Sequence, residues 1–468
     1  MQFKHAPAAV SAVFDDPNLV SAVGLVPVMR LAMTAGLADL SQQRLTVPTD
    51  KGANAGVKVA SLVAGMLAGA DSIEDMNLLR HGGMSKLFNR VYAPSTLGSF
   101  LRRFTFGHVR QLDAVASRVL TNLAGQGAAL QPSPSGRVMV DLDDTIIQVH
   151  GYQKQGAGFG YSGVRGLNAL LAVASTTSSA PVVLAQRLRK GPTGSPKGAA
   201  RILGDALATL RRMGTGTEPP PVLVRADSAF YGHATVGTAI KAGANVSVTV
   251  RMDPAVKAAI TTIKEDAWTK IEYTNAIRDE TTGEWISKAE VAEVPFTAFR
   301  SRKKNEHVTG RLVVRRIPDL NPRQVDQPTL FDTWRHHAFF TTSSAAEFDT
   351  VAADKTHRRH AIIEQVHADL KAGPLAHLPS GVFTANSAWL VLATIAFNLT
   401  RAAAVIADNG GRLAKATTAT IRRTLIHVPA RLARSARRAT LHLPAGWPWQ
   451  AAFTRLFQAV HAPPAATS

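Results

Sequence analysis

The 468-residue chain has no cysteine and few acidic residues for its size. Without cysteine it can form neither disulfides nor Cys-ligated zinc sites. Lys and Arg number 53 against 33 Asp and Glu, a formal net charge of +20. Such a balance suits a polyanionic partner such as nucleic acid, and a charge that serves only solubility is the alternative. Residues 409–468 contain nine Lys or Arg residues and no acid, which predicts a basic, phosphate-contacting C-terminal tail.

The chain also lacks a long uninterrupted apolar run. The longest, residues 388–397, is interrupted by Asn398 and Arg401 and is shorter than the roughly 20 residues that a membrane span needs. We expect a buried helix there. The first residues show no charged segment followed by an apolar one, so no export signal is predicted. These absences predict a cytoplasmic protein without a membrane partner.

Hydrophobic spacing divides the chain into five predicted segments. Residues 1–130 carry apolar positions at helical spacing and are predicted as a helical N-terminal domain that binds DNA. A Gly-, Pro- and Ser-rich linker follows. The other segments are, in chain order, the first part of a core, a β-rich insertion, the second part of the core and the basic tail: 137–253, 254–344, 345–408 and 409–468.

One helix of the N-terminal segment carries paired arginines. Ser95 is predicted to cap an amphipathic helix that ends in Arg102 and Arg103. Such a helix can enter a DNA groove, and a plain surface helix is the alternative.

Residues 137–253 predict three strands, a helix, a strand, a helix and a strand. This order is that of a ribonuclease-H-like sheet. The expected fold class is therefore α/β: a ribonuclease-H-like mixed sheet with flanking helices, interrupted by a β-rich insertion and preceded by a helical N-terminal domain.

Acidic residues cluster in the first predicted strand, VMVDLDDT. Strand alternation places Asp141, Asp143 and Thr145 on one face and Asp144 on the other. Carboxylates in a buried sheet resist desolvation unless they are paired or bind a cation. A solvated strand end whose acids cap the next turn is the alternative.

Two more acids are candidates for the same site. Asp227 ends the apolar strand VLVR and would lie about 4.8 Å from the first strand if the two are parallel neighbours. Two carboxylates that close would protonate or recruit Mg²⁺. Glu364 belongs to a helix predicted over residues 355–371, with His360, His367 and Lys371 near the same face. A charged surface stripe is the alternative for Glu364.

The trio Asp143, Asp227 and Glu364 resembles the acids of DDE transposases of bacterial insertion sequences, specifically the insertion-sequence 1380 group. The resemblance covers about residues 137–401. It includes VDLDDT, the Gly-rich GYQKQGAGFGYSGVRGLNALLA, LVRADSAFYG and the Glu-centred helix. It implies that the three acids are catalytic and bind two Mg²⁺ or Mn²⁺ ions, with Asp141 as a reserve candidate.

The resemblance departs from the family around the last acid. Such transposases often carry Tyr, two residues, Arg, three residues, Glu, six residues and Lys. Here Glu364 and Lys371 are kept, but His357 and His360 replace the Tyr and the Arg. The residues predicted to contact DNA are Arg358, Arg359, Lys371, Arg102 and Arg103, with His357 and His360 in reserve.

The resemblance implies cleavage of DNA at the ends of an insertion sequence and strand transfer into target DNA, by two-metal-ion chemistry. The implied partners are double-stranded DNA, at terminal inverted repeats and target, and a second copy of the chain in a synaptic homodimer. The implied location is the nucleoid of a bacterium. Trp268, Trp285 and Trp334 of the insertion are candidates for stacking on an unpaired base, and a place in the core is the alternative.

Two other functions fit part of the pattern. Asp141, Asp143 and Thr145 also match the nucleophile strand of haloacid-dehalogenase-like phosphatases, although the second acid of that family's later motif is replaced by Tyr231. A catalytically inactive DNA-binding protein derived from a transposase is the other alternative. The presence of all three acids disfavours it.

Overall fold

A computed structural model describes residues 4, 9–131, 136–151, 153–214, 220–271, 277–278, 285–286, 289–318, 334–436 and 438–461. The described part of the first 131 residues forms helices, one short strand and a 3₁₀ turn over Glu74–Leu79. These are β1 (Leu19–Val20), α1 (Leu25–Thr34), α2 (Leu37–Arg44), α3 (Thr49–Gly52), α4 (Ala55–Leu67), α5 (Met84–Leu87), α6 (Pro94–Arg102) and α7 (Phe106–Gly125). In α7, Thr105 and His108 form a reciprocal capping box that satisfies amide groups of the first turn.

Helix α6 begins two residues earlier than the sequence predicts. Its N-cap is Ala93, and Pro94 occupies the first turn, where proline's missing amide hydrogen costs nothing. The prediction of Ser95 as the N-cap is therefore wrong. The helix buries Leu97 and Phe100.

The core follows the predicted order of three strands, helix, strand, helix and strand, with one additional two-residue strand. Its elements are β2 (Val138–Gln148), β3 (Gly158–Phe159), β4 (Arg165–Ser175), β5 (Val182–Lys190), α8 (Ala199–Met213), β6 (Val222–Ala226), α9 (His233–Lys241) and β7 (Asn245–Thr249). The five long strands lie side by side in the order β5-β4-β2-β6-β7. β4 runs antiparallel to its two neighbours β2 and β5, whereas β6 is parallel to β2 and β7 to β6. The prediction of a ribonuclease-H-like mixed sheet is confirmed.

The register of β2 determines where its acids stand. In the parallel pair with β6, Asp141 faces Arg225 and Leu142 faces Ala226. One step beyond that last pair, along both strands, come Asp143 and Asp227. Since the strands are parallel, both carboxylates are carried to the same edge of the sheet.

The strands of the insertion continue the core sheet. The elements are α10 (Pro254–Ile260), β8 (Thr269–Ile271), β9 (Ile277–Arg278), β10 (Trp285–Ile286), β11 (Ala289–Ala298), β12 (Val308–Pro318) and β13 (Trp334–Thr341). β13 pairs antiparallel with β7, and β12, β11 and β8 follow outward. Core and insertion strands thus form one ten-stranded sheet, and β9 and β10 form a separate two-stranded pair.

The remaining elements complete the core and its C-terminal extension. They are α11 (Thr350–Arg358), α12 (Ile362–Lys371), α13 (Phe383–Ala407), α14 (Thr418–Ile421), β14 (Ala430–Ser435), β15 (Arg438–His442) and α15 (Gln450–His461). The single helix predicted over residues 355–371 is two helices, because a 3₁₀ turn over Arg359–Ala361 separates α11 from α12. The Thr356 carbonyl, which an unbroken α-helix would pair with the His360 amide, accepts a hydrogen bond from Arg225 Nη1 at 2.7 Å.

Helix α13 contains the apolar run. It is long and apolar enough to cross a membrane, but 94% of its most apolar window is buried inside the protein, as predicted for a core helix. The segment predicted as a tail packs back on the N-terminal helices. β14 pairs with β1, and His427 Nε2 lies 2.8 Å from the Ala68 carbonyl oxygen at the end of α4.

Candidate active site

Asp141 is bound inside the protein by Arg225. The Arg225 Nε and Nη2 atoms donate to its two carboxylate oxygens at 2.7 Å each, and both side chains are almost fully buried. His360 Nδ1 lies 3.2 Å from the same carboxylate. This arrangement satisfies Asp141 within the protein, and its carboxylate faces no solvent.

Asp144 lies on the opposite face of β2 and is also held by neighbours. Asn168 Nδ2 donates to it at 2.7 Å, Ser195 Oγ at 3.1 Å, and Arg189 forms an ion pair with it. Asp144 therefore stabilises the packing of β4 and the loop after β5.

Asp143 is the acid of β2 that is open to solvent. Its side chain is 21% exposed, and its ionic contact is with His367, whose Nε2 lies 3.5 Å from Asp143 Oδ2. Neither ring nitrogen of the buried His367 has a hydrogen-bond partner among the described residues. A histidine at this distance can orient the carboxylate of Asp143.

Asp227 stands beside Asp143. It follows β6, and its Oδ1 accepts the amide hydrogen of Ala229 at 2.9 Å. Desolvation raises the pKa of Asp227, and the Asp143 carboxylate raises it further, whereas the Ala229 amide and His360 lower it; the net shift is upward. The effect of Asp143 on the pKa of Asp227 shows that the two carboxylates are close to each other.

Glu364 lies in the first turn of α12 with its side chain exposed. It is four residues after His360, which contacts Asp141, and three before His367, which contacts Asp143. Glu364 lines a small cavity together with His357, His360 and residues of β7 and β13.

Two of the acids are the residues that would hold a metal ion. Within the described ranges, no three His, Asp or Glu side chains are grouped closely enough to hold a metal ion. Asp143 and Asp227, however, form an oxygen-only donor pair whose repulsion a divalent cation would relieve. Mg²⁺ is commonly bound by one or two carboxylates together with substrate phosphate oxygens, so the pair fits such an ion.

His357 and His360, which replace the Tyr and the Arg of the family pattern, both contact residues inside the protein. His357 stacks on Phe339 with 4.1 Å between ring centroids, and its ring nitrogens lie 2.9 Å and 3.0 Å from the hydroxyls of Ser247 and Thr249. Burial lowers the pKa of His357 to about 3, which keeps the ring neutral. His360 is directed towards Asp141.

The side chains predicted to contact DNA differ in exposure and in their contacts within the protein. Arg358 donates to Asp354 at 2.8 Å, and Arg103 pairs with Asp50. Arg359 is exposed and lines a different cavity from Glu364, and Arg102 contacts Ser99 at 3.2 Å. Lys371 is close enough to Asp143 for that carboxylate to raise its pKa, although desolvation is the larger effect and lowers it.

The two tryptophans of the insertion whose side chains are described pack against an arginine of the same insertion. Trp268 and Trp334 both pack on the Arg316 guanidinium, 4.3 Å and 4.4 Å from their ring centroids. Arg316 in turn pairs with Glu265 and Glu290. The side chain of Trp285 lies outside the described residues.

The sequence interpretation missed two residues of this site, Arg225 and His367. An arginine inside the apolar strand VLVRA requires a buried acid as partner, and the parallel register points to Asp141. That signal was present in the sequence. His367 was noted only as a residue near the face of Glu364, because nothing in the sequence shows that α12 lies over β2.

Comparison with known proteins gives the family. Residues 4–464 match the family described as transposase DDE domain group 1. No curated protein matches the chain. Proteins of this family are transposases, which act on DNA and typically use a divalent metal ion. Because the match spans nearly the whole chain, the protein belongs to the transposase DDE domain family.

Proposed function

We propose that this protein cleaves DNA at the ends of an insertion sequence and joins the freed ends to target DNA, with Asp143, Asp227 and Glu364 as its catalytic carboxylates. One observation carries the proposal. Asp143 and Asp227 stand side by side at the edge of the sheet, and the helix that bears Glu364 is tied to the same strand through His360 and His367.

Asp143 and Asp227 would hold Mg²⁺ or Mn²⁺, and Glu364 would complete the ligand set for two ions. Bound there, the ions would activate the attacking water or 3′-hydroxyl and stabilise the leaving oxygen. This chemistry requires no covalent intermediate with the protein. The catalytic role of the chain is therefore to hold three carboxylates and a DNA phosphate in one place.

The neighbouring residues set the positions of these acids. The Ala229 amide orients Asp227, and His367 abuts Asp143. The Asp141–Arg225 pair joins β2 to β6 and reaches the α11–α12 junction through Thr356 and His360. These contacts would fix the position of α12, which bears Glu364.

Exposed cations would hold the DNA backbone. We assign Lys371, which is near Asp143, to a phosphate beside the scissile bond, and Arg359, Arg102 and Arg103 to phosphates further along the DNA. Arg358 is secondary because Asp354 already binds it. With roughly six to ten phosphate contacts, affinity should fall by about 10³ to 10⁵ between 50 and 200 mM salt.

We further propose terminal inverted repeats and target DNA as substrates, a homodimer that brings two ends together, and a place in the bacterial cytoplasm at the nucleoid. Membership of the insertion-sequence 1380 group remains a prediction from the resemblance.

The phosphatase alternative is disfavoured by Asp141. A haloacid-dehalogenase-like enzyme needs an accessible nucleophile in this strand, whereas Asp141 is fully buried and bound by Arg225. A phosphatase would hydrolyse p-nitrophenyl phosphate, and we expect no such turnover.

The test uses a plasmid that carries the coding region with its native flanking DNA. The full chain is incubated with it in Mg²⁺ or Mn²⁺, and nicked, linear and joined products are measured. Asp143→Asn, Asp227→Asn and Glu364→Gln should each lose at least about 10³-fold in cleavage while DNA binding stays within a few-fold. The exposed Asp266 provides a matched control, since Asp266→Asn changes the same charge away from the site.

Two results would overturn the proposal. Wild-type protein that binds the DNA but never cuts it would favour the inactive DNA-binding alternative. Full cleavage by any one of the three variants would remove that acid from the mechanism.

A further inference from the structure

The Gly-rich segment between β2 and β4 forms a hairpin with a firmly packed base. A Cβ at Gly191 would lie 2.2 Å from the Gly166 carbonyl oxygen and 2.4 Å from that of Gly158. Only glycine permits this approach of three backbones. The Gln155 amide also donates to Gly381 at 2.9 Å, which ties the hairpin to the loop before α13. The hairpin is therefore held in a defined place.

The tip of this hairpin presents two aromatic rings to solvent. Phe159 is 66% exposed and Tyr161 is fully exposed. Neither ring stacks on another ring or forms a side-chain hydrogen bond in the part of the chain that the structure describes. Exposed aromatic rings on a fixed hairpin offer faces on which a nucleic-acid base can stack.

A cleft lies between Tyr161 and Lys371. Its volume is about 630 Å³, and Asp144, Thr145 and residues 191–195 also line it. Thr145 is on the same face of β2 as Asp143, two residues further along. Lys371 interacts electrostatically with Asp143. The cleft thus extends from Lys371, which is near Asp143, to an exposed aromatic ring.

The chemistry of this cleft fits a single nucleotide strand. A lysine provides a cation for a phosphate, and an unpaired aromatic ring provides a face on which any base can stack. Trp268 and Trp334 cannot serve in this way in the observed arrangement, because both are packed on Arg316.

We propose that Tyr161, with Phe159 beside it, stacks on a base left unpaired next to the scissile phosphodiester, while Lys371 contacts the phosphate between them. This inference rests on the proposed function and deepens it. The hairpin gives the enzyme a preference for DNA ends whose terminal bases are frayed.

Binding measurements without added metal test the inference separately from cleavage. Two duplexes of the element end are compared, one fully paired and one with three unpaired nucleotides beside a nick, each with 2-aminopurine in that stretch. The full-length wild type, Tyr161→Ala, Tyr161→Phe and Phe14→Ala are titrated against both. Phe14 is a matched control because it is an equally exposed ring in the N-terminal segment.

We expect Tyr161→Ala to weaken binding of the unpaired duplex by about 5- to 150-fold, with little change for the paired one. It should also abolish the quenching of 2-aminopurine. Tyr161→Phe and Phe14→Ala should keep both the preference and the quenching, because stacking needs the ring and not the hydroxyl. The inference is overturned if Tyr161→Ala keeps preference and quenching, or loses affinity equally for both duplexes.

The two proposals fail in different ways. Base stacking that depends on Tyr161 in a protein that never cleaves DNA would contradict the catalytic function alone. Cleavage that depends on Asp143 but shows no effect of Tyr161 on binding would contradict the stacking inference alone.

Discussion

Arg225 and Asp141 face each other across the parallel β2–β6 pair and form a two-point ion pair with both N–O distances at 2.7 Å. The pair is buried, and it reaches the α11–α12 junction through the Thr356 carbonyl and His360. It links the two acid-bearing strands to the helix that carries Glu364. Asp141 is thereby a structural acid, and Asp143 is the acid of β2 that remains open to solvent.

Removing one partner of this ion pair should destabilise the fold. Arg225→Met leaves the Asp141 carboxylate buried without its counter-charge, at a cost of about 3–5 kcal/mol in the free energy of unfolding. Replacing both residues, with Asp141→Leu and Arg225→Met, should recover most of that loss. Urea unfolding followed by circular dichroism measures both, and equal losses in the single and double variants would contradict the interpretation.

Divalent ions should stabilise the protein through Asp143 and Asp227. An ion that binds only the folded state raises the free energy of unfolding, by about 1.4 kcal/mol at ten times its Kd. Thermal unfolding with and without Mg²⁺ should show this gain for the wild type and for Asp266→Asn. Asp143→Asn should gain less, and it should be at least as stable as the wild type without metal, because the repulsion that contributes to the raised pKa of Asp227 is gone.

Burial of neutral His357 should make the fold sensitive to acid. Its pKa of about 3 lies below the ordinary histidine value of 6.5, so the folded state binds this proton less readily than the unfolded state. The contribution to stability is complete above pH 6.5 and is lost progressively as the pH falls towards 3.

His357→Gln removes the titrating group and keeps hydrogen-bonding capacity towards Ser247 and Thr249. The stability advantage of the wild type over this variant should shrink by up to about 1.4 kcal/mol for each pH unit below 6.5. A constant difference between pH 7 and pH 4.5 would show that His357 is not held neutral.

Two adjacent arginines should differ in their contribution to DNA binding. Arg359 is exposed, whereas Arg358 is bound by Asp354. Arg359→Ala should reduce the slope of log affinity against log salt by about 0.9, the effect of one phosphate contact, and Arg358→Ala should reduce it less. Fluorescence anisotropy between 50 and 200 mM salt measures both slopes. Equal slopes for the two variants would contradict the assignment.

The sequence was sufficient for the strand order of the core and for the placement of Asp143 and Asp227, because alternation and parallel pairing are local rules. The sequence was insufficient where contacts between distant residues determine the structure. Arg225 divides the predicted helix by binding the Thr356 carbonyl. The insertion joins the core sheet because β13 pairs with β7, and the sequence does not show which strands pair over that distance.

The roles of individual side chains were the hardest part to predict. Three aspartates in VDLDD have the same chemistry in the sequence, and only the partners Arg225 and Arg189 distinguish the two structural acids from Asp143. Likewise His357 occupies the position of a family tyrosine, but its stacking on Phe339 makes it part of the core.

The most direct test of the catalytic proposal is anomalous diffraction from crystals of the full chain soaked in Mn²⁺. The account predicts a metal peak within roughly 2.0–2.6 Å of carboxylate oxygens of both Asp143 and Asp227, with Glu364 as the nearest further acid. A peak on Asp141 or Asp144, or binding that persists in Asp143→Asn crystals at the same place, would contradict it.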